Sequence, residues 1–406
     1  MADESAAGVV VPPDEALSRV VAIVGVGHTD YAADYAASRS GDPGHEAPDD
    51  DSLCLAAFEA ALADSGLTRD DVDGLSLSNM YGGADLEATA ARLGIEPTYA
   101  VRTGGLMAGL IPAATVALAE GRCDTLALVY SAASRSIGRV FGGASHTNMG
   151  RHSYSYYHPW GWSSQAAHWA MMFDHYEREY GATEADLAHV AITVREHAGR
   201  NPHAIMRAPL TVDDYLASRY IVAPMHLFDM CLVNDGGVCV ILRRADMTAD
   251  LPHPPVLVAG WGSDRIHHSK MHFMVRERLR PQLQEAAAQT FAMSGLDLGD
   301  VGHFQAYDAS TIHLVNQLEG TGFVAPGEGL EFAKAGEMRL GGSLPTNTSG
   351  GLLSEAYMHG WNHVVEAVRQ LRHEAGDRQV AGVGASLYSL ATTDEAFPVL
   401  FTRPEV

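Results

Sequence analysis

The sequence predicts an α/β fold made of two related halves, with an inserted helical and aromatic region between them. Two continuous apolar runs, at residues 20–26 and 255–260, are typical of strands buried on both faces. Each run leads into a turn of small residues and then a helical stretch that ends in Ser-Gly-Leu, at residues 65–67 and 294–296. These recurring segments indicate that the chain repeats one βαβ-rich unit.

The spacing of the glycine landmarks supports this duplication. A single βαβ unit resembles any other, so one match would carry little weight. Three matches occur in the same order, however, at separations of 235, 229 and 246 residues. Ordered matches at nearly constant offset favour a duplicated half. The matched pairs are Gly25 with Gly260, Gly66 with Gly295, and Gly105 with Gly351.

These landmarks divide the chain into four parts. Residues 1–18 are rich in proline, alanine and aspartate and are predicted to form a flexible leader. Residues 19–140 form most of the first half, and residues 141–230 form the inserted region. Residues 231–406 complete the first half and contain the second.

The inserted region is rich in aromatic side chains on two predicted helices and the loop before them. Such an insert either caps a core or forms the wall of a cleft for a large apolar ligand. The large apolar side chains of this region are Trp160, Trp162, Trp169 and Phe173.

Composition excludes several classes of partner. The 406 residues contain 27 Lys plus Arg against 50 Asp plus Glu, which gives a net charge of −23. So acidic a protein has no electrostatic footprint for a nucleic acid or an anionic membrane surface. No run of about 18 uncharged apolar residues is present to span a membrane, and the acidic N-terminus lacks the basic region of a secretory signal.

The four cysteines, at positions 54, 123, 231 and 239, form no CxxC pair. This spacing argues against a disulfide framework or a structural zinc site, so we expect a cytoplasmic protein with reduced thiols. The histidines at 267, 268 and 272 lack an HExxH motif, so we expect no metal site in this chain. Nucleophile-elbow, Walker and three-glycine dinucleotide motifs are also missing.

The duplicated half, the Ser-Gly-Leu turns and the segment GGSLPTNTSGG at 341–351 together resemble the thiolase superfamily. More narrowly, they are similar to the branch related to the thiolase domain of sterol carrier protein. The resemblance covers residues 20 to about 400. It implies a thiolase-like fold, with βαβαβαββ halves arranged in five layers, α-β-α-β-α, and a homodimer core.

The departures from the thiolase pattern concern the catalytic positions. Where a thiolase carries its nucleophilic cysteine, this chain has Leu106, which cannot carry an acyl group. The positions that match the two catalytic histidines of the family hold Tyr307 and Tyr357.

This double replacement, with the segments YDASTI at 307–312 and SEAYMHG at 354–360, resembles the thiolase-like aldolases that cleave steroid side chains. The resemblance implies a retro-aldol reaction of a β-hydroxyacyl-CoA, which yields a ketone or aldehyde and a shorter acyl-CoA, such as propionyl-CoA or acetyl-CoA. It also implies a heterotetramer with an OB-fold and zinc-ribbon partner. Zinc is expected in that partner only, and no cofactor is expected in this chain.

The resemblance assigns candidate site residues as well. One of Tyr307 and Tyr357 takes the hydroxyl proton of the substrate and the other protonates the enolate, since a phenol can donate and accept. Asp308 either orients a neighbour or is a structural hydrogen-bonding group. Leu106 and His359 are placed among the substrate-binding residues.

The segment Ser349-Gly350-Gly351 is assigned to substrate binding too. Its backbone N–H groups either form an oxyanion hole for the thioester oxygen or belong to a tight turn.

Two other functions remain open at this level. The chain could be a non-catalytic thiolase-like subunit that binds acyl-CoA and scaffolds a partner, because loss of the cysteine is also what decay would produce. The weaker alternative is a thiolase or acyltransferase that uses another thiol.

Overall fold

The computed structural model describes eight stretches of the chain: residues 11–39, 47–78, 85–103, 107–139, 158–162, 164–265, 276–392 and 395–406. The first half begins with these elements: β1 (Val21–His28), α1 (Tyr31–Arg39), α2 (Asp50–Ser65), β2 (Gly74–Ser78), α3 (Leu86–Leu93), β3 (Tyr99–Thr103), α4 (Met107–Ala119) and β4 (Thr125–Ala133). The inserted region contains α5 (Gln165–Tyr180), α6 (Glu184–Gly199), α7 (Val212–Ala217), β5 (Tyr220–Val222) and β6 (Met225–His226).

The first half is completed by β7 (Asp235–Arg244), after which the pattern begins again. The second half consists of β8 (Val256–Trp261), β9 (Asp264–Arg265), α8 (Arg276–Ser294), β10 (His303–Ala306), α9 (Thr311–Thr321), α10 (Gly329–Lys334), α11 (Trp361–Leu371), β11 (Ala385–Ala391) and β12 (Glu395–Thr402).

The strand order confirms the duplication. The strands of the main sheet follow one another as β10-β11-β12-β8-β1-β7-β4-β2-β3, and β1 pairs with β8 at the junction of the halves. From that junction outward, the first half runs β1-β7-β4-β2-β3 and the second runs β8-β12-β11-β10. In both halves the first strand is therefore followed by the last strand and then by the others in matching order. Where the first half has β3, the second has an isolated parallel bridge between Phe304 and Thr346.

One matched pair of glycines, Gly25 and Gly260, has the same physical role in both halves, and Gly105 of another pair lies outside the described residues. A Cβ added to Gly25 would lie 2.6 Å from the carbonyl oxygen of Ala61 on α2, and one added to Gly260 would lie 2.6 Å from that of Thr290 on α8. Each glycine therefore allows a helix to pack directly on the first strand of its half.

The five-layer arrangement is confirmed by the helix contacts. Helices α4 and α11 contact strands of both halves and form the central layer. Helix α2 covers the outer face of the first half with α3 beside it, and helices α8 and α9 cover the outer face of the second. The largest apolar cluster lies around α4 and α11, between the two halves.

The inserted region packs mainly on the second half. Phe173 on α5 is fully buried in the apolar cluster that also contains Leu314 and Leu318 of α9. Trp160, by contrast, is 83% exposed. These two aromatic side chains therefore do not line one wall, because one is part of a core and the other faces outward.

Helix α6 brings the insert next to the second half. It begins at a capping box between Thr183 and Asp186 and contacts the π-helical turn Gly351–Glu355. At the other end of the chain, the carbonyl of Val11 accepts a hydrogen bond from Trp261 Nε1 at 3.1 Å, so residues beyond 10 of the predicted leader contact the body of the fold. Within the described stretches, no helix has the length and apolar character needed to cross a membrane.

Candidate active site

Tyr307 stands at the end of β10, where backbone hydrogen bonds hold it on both sides. Its N–H donates to the carbonyl of Ser389 on β11 at 2.9 Å, and its carbonyl accepts from Gln317 Nε2 on α9 at 2.6 Å. The chain then turns at once into α9, because the side chain of Ser310 caps that helix at the N–H of His313. The tyrosine side chain is 5% exposed.

Tyr357 reaches the same place from the turn Gly351–Glu355. Its N–H donates to Asn234 Oδ1 at 2.7 Å, in the segment just before β7. Its hydroxyl oxygen lies 3.1 Å from that of Tyr307, within hydrogen-bond distance. The structure therefore brings the two candidate acid–base residues together, and Tyr357 is the more exposed of the two.

Asp308 is fully buried beneath this pair. Its Oδ1 accepts from the N–H of Leu352 at 2.8 Å, and its Oδ2 lies 3.4 Å from the N–H of Leu353. Oδ1 also lies 3.1 Å from His363 Nε2. Of the two roles expected for Asp308, these contacts support the structural one, because the carboxylate holds the turn that leads to Tyr357.

The segment Ser349-Gly350-Gly351 has the contacts of a tight turn. Ser349 Oγ donates to Glu355 Oε2 at 2.6 Å. The N–H of Gly350 donates to the carbonyl of Asn347 at 3.0 Å, and that of Gly351 to Ser349 Oγ at 3.4 Å. Because both glycine N–H groups are engaged within the turn, the contacts favour the tight turn over the oxyanion hole.

His359 is buried beside Tyr357. It has a φ of +51°, and its ring centroid lies 4.5 Å from that of Tyr357 and 5.3 Å from that of Tyr130. Burial, with a contribution from the positive charge of Arg139, lowers the pKa of His359 to about 3. The imidazole is therefore neutral at physiological pH, and it serves as an aromatic neighbour of Tyr357 rather than as a cation.

Some of the sequence-predicted positions lie outside the described residues. These are Leu106 and the three histidines 267, 268 and 272. Within the described stretches, no group of three or more His, Cys, Asp or Glu side chains is arranged to hold a metal ion.

The cysteines give no support to a thiol-based mechanism. Burial raises the pKa of Cys54 to about 11 and that of Cys123 to about 12. Burial and the nearby charge of Asp308 raise the pKa of Cys231 to about 12, and burial raises the pKa of Cys239 well above its ordinary value. A thiolate nucleophile requires the opposite shift, so none of the four is activated.

Sequence reasoning missed several residues that support the tyrosines. Asn234 and Gln317 hold the backbone of Tyr357 and Tyr307, and His363 contacts Asp308. Tyr388 on β11 is fully buried against Gly360, and its hydroxyl has no hydrogen-bond partner among the described residues. No motif of the sequence marks these positions.

Comparison with known proteins agrees with this fold. Residues 263–392 match the thiolase C-terminal domain-like family model. The "Steroid side-chain-cleaving aldolase" of Thermomonospora curvata is 34% identical over 371 residues, covering 88% of this chain and 91% of that protein. The "17-hydroxy-3-oxo-4-pregnene-20-carboxyl-CoA lyase" of Mycobacterium tuberculosis is 34% identical over 393 residues, covering 93% and 97%.

Among solved structures, the "Ltp2-ChsH2(DUF35) aldolase" matches with a TM-score of 0.84 and 32% identity, over 95% of this chain and 98% of that chain. The fold and these relatives thus define a member of the thiolase superfamily. More particularly, the chain belongs to the family of the thiolase-like side-chain-cleaving aldolases, and it is a carbon–carbon lyase.

Proposed function

We propose that this protein cleaves a β-hydroxyacyl-CoA thioester of a steroid side chain by a retro-aldol reaction. The observation that carries the proposal is the 3.1 Å contact between the hydroxyl oxygens of Tyr307 and Tyr357. The names of the two curated relatives support the substrate class, since one is a steroid side-chain-cleaving aldolase and the other a lyase of a pregnene carboxyl-CoA.

The reaction transfers one proton from oxygen to carbon. A base removes the proton of the β-hydroxyl, the Cα–Cβ bond breaks, and its electron pair forms the thioester enolate. The products are a ketone or aldehyde and, after the enolate gains a proton at Cα, a shorter acyl-CoA such as propionyl-CoA or acetyl-CoA. No acyl-enzyme forms, so a nucleophilic cysteine is unnecessary, and the steps require no cofactor held by this chain.

Two hydrogen-bonded tyrosines suit this proton balance. One tyrosine, as its phenolate, takes the substrate proton and becomes a phenol, while the other phenol gives its proton to the enolate and becomes the phenolate. The contact between them lets one proton pass back, which restores the starting state. A tyrosine used as an anionic base at neutral pH costs about 4 kcal/mol, because its ordinary pKa lies about three units higher. Hydrogen bonding to the partner hydroxyl offsets part of that cost.

The assembly proposed is a homodimer core with an OB-fold and zinc-ribbon partner on each side, giving a heterotetramer. The partner named in the aldolase structure, ChsH2(DUF35), supports a second protein. Strand β3 supports the dimer, because among the described strands it ends the sheet and pairs on one side only, with β2. An open strand edge is stabilised when it is covered or paired.

A cytoplasmic location is proposed on the state of the thiols. All four cysteines are free, and three of them are buried. Free thiols are typical of a reducing compartment.

The test is to co-express the chain with its DUF35 partner and to supply β-hydroxyacyl-CoA thioesters with steroid, short aliphatic or aromatic groups. No free CoA is added, and products are followed by chromatography. We expect a ketone or aldehyde and a shorter acyl-CoA from the steroid substrate, with activity lost in Tyr307→Phe and Tyr357→Phe. The matched control is Tyr220→Phe, which removes a half-exposed hydroxyl that donates to Glu184 in the inserted region.

Each other outcome contradicts a defined part of the proposal. A requirement for added CoA would indicate thiolysis and exclude the tyrosine mechanism. Cleavage of the short substrates alone would overturn the steroid assignment. Binding of acyl-CoA without turnover in wild type and in both variants would identify a non-catalytic subunit.

A further inference from the structure

The segment 230–234, which joins the inserted region to β7, is hydrogen-bonded to both of the loops that carry the tyrosines. In the loop after Tyr307, the carbonyl of Ala309 accepts from the N–H of Cys231 at 3.1 Å. Next to it, Met230 forms an isolated antiparallel bridge with the residue that follows Ala309. The main chain therefore fixes this loop to the segment.

The other loop is bound to the same segment at two points. At the start of the turn Gly351–Glu355, the carbonyl of Leu352 accepts from the N–H of Leu232 at 3.0 Å. Beyond the end of that turn, the N–H of Tyr357 donates to Asn234 Oδ1 at 2.7 Å. The second point is a contact with a side chain, so the position of Tyr357 depends on which residue stands at 234.

The Asn234 amide has a single orientation that satisfies its neighbours. The N–H of Tyr357 can only donate, so it must face the amide oxygen. The amide nitrogen then lies 3.0 Å from the carbonyl of Asp235 and 3.6 Å from Met358 Sδ, and both accept from it. Asn234 is 2% exposed, so loss of the amide would leave the N–H of Tyr357 buried without a partner.

The contact between the two hydroxyls depends on this attachment. Tyr307 is held to β11 and α9 by hydrogen bonds of its own backbone. The two hydroxyl oxygens are 3.1 Å apart, at the long end of the range for an O–H···O hydrogen bond, so a shift of about 0.5 Å at Tyr357 would break the contact. Met358, the next residue, packs between Asn234 and Gly236, where an added Cβ would lie 2.8 Å from its Sδ.

We propose that Asn234 is a positioning residue of the aldolase site: its amide holds the main chain at Tyr357 and thereby sets the separation of the Tyr307 and Tyr357 hydroxyls. The effect on rate rests on the proposed function. The effect on the separation of the two oxygens is independent of that function, so the two can fail separately.

The first test is the kinetics of Asn234→Leu in complex with the DUF35 partner, with the steroid thioester as substrate. Leucine has nearly the shape of asparagine but offers neither an acceptor nor a donor. We expect kcat to fall about 10²-fold and KM to change less than about threefold, as for a small misplacement of reacting groups. A change in KM alone would overturn the positioning role.

The matched control is Gln379→Met, beyond the far end of α11. It removes another amide that accepts from a backbone N–H, that of Ala375 at 3.1 Å, and donates to a backbone carbonyl, that of Gln370 at 2.9 Å. Its kcat should stay close to that of wild type. An equal kcat in Asn234→Leu and Gln379→Met would overturn the positioning role.

Asn234→Asp provides a second test, which also decides if Asn234→Leu fails to fold. A protonated carboxyl would still accept from Tyr357 and donate to the Asp235 carbonyl, whereas an ionised one would set an oxygen against that carbonyl. Burial favours the protonated form. The ratio of the variant's kcat to that of wild type should therefore rise as the pH decreases from about 8 to about 6, and a constant ratio would contradict the proposal.

If wild type shows no turnover, the proposed function fails and a crystal structure at neutral pH decides the geometry. In Asn234→Leu, or in Asn234→Asp if the first variant does not fold, the tyrosine oxygens should separate beyond about 3.5 Å. An unchanged contact of 3.1 Å would reject the positioning role.

Discussion

The hydroxyl oxygens of Tyr307 and Tyr357 lie 3.1 Å apart, although 50 residues separate them in the chain. The contact exists because each tyrosine is held by backbone hydrogen bonds to a different element. Tyr307 is bound to β11 through Ser389, and Tyr357 is bound through Asn234 to the segment that precedes β7. The pair therefore lies where the two halves of the fold meet.

Removal of either hydroxyl should reduce turnover without unfolding the protein. Loss of a positioned acid–base group lowers the rate by about 10²–10⁴-fold, so we expect a decrease of that order in kcat for Tyr307→Phe and for Tyr357→Phe. Because one proton passes through both groups, the double variant should be about as slow as the slower single variant. Rates of the four proteins under single-turnover conditions check this, and multiplicative losses would contradict a shared proton.

Gly360 and Tyr388 form a second testable pair. Gly360 has a φ of +86°, and a Cβ added there would overlap the Tyr388 hydroxyl. Gly360→Ala should lower the free energy of unfolding by about 2 kcal/mol or more, from overpacking and left-handed backbone strain. Chemical denaturation measures the change.

The matched variant is Tyr388→Phe. The Tyr388 hydroxyl is buried without a hydrogen-bond partner among the described residues, so removing it should leave the free energy of unfolding unchanged or increase it. Combined with Gly360→Ala, Tyr388→Phe should restore the part of the lost free energy of unfolding that comes from the overlap of the new Cβ with the Tyr388 hydroxyl. Independent effects of the two changes would show that the overlap is relieved in another way.

Removal of one partner of the buried ion pair between Glu366 and Arg378 should strongly destabilise the protein. Burial disfavours the charged carboxylate, but the guanidinium of Arg378 and the hydrogen bonds to Glu366 lower its pKa to about 2. Glu366→Gln leaves the Arg378 cation without its counter-charge and should cost about 3–5 kcal/mol. Asp246→Asn, which breaks the exposed pair with Arg244, should change the unfolding midpoint little.

Stability should also fall as the pH decreases from about 6.5, the ordinary histidine pKa. Burial lowers the pKa of His197, His303 and His313 to about 4, so the unfolded state binds more protons than the folded state between these values. The free energy of unfolding should therefore decrease by about 1 kcal/mol per pH unit for each histidine.

Denaturant unfolding of wild type and His313→Gln from about pH 6.5 to about pH 5 measures this slope. The variant should have a slope that is smaller by the contribution of one histidine. Equal slopes would show that His313 is protonated in the folded protein.

The sequence by itself determined the duplicated α/β architecture and singled out the two tyrosines of the candidate site. Apolar runs and glycine landmarks are local features, and they recur in both halves because each half folds by the same local rules. Tyr307 and Tyr357 were found because both belong to recognisable segments.

Only the tertiary structure decided what surrounds them. The packing of the elements places His363 against Asp308 and lets Asp308 hold the turn. It also decides that Phe173 belongs to a core while Trp160 faces outward. Hydrophobic periodicity predicts an element and its buried face, but it does not specify the partner of a buried polar group. Those partners come from other elements of the chain, and a polar group buried without them would be destabilising.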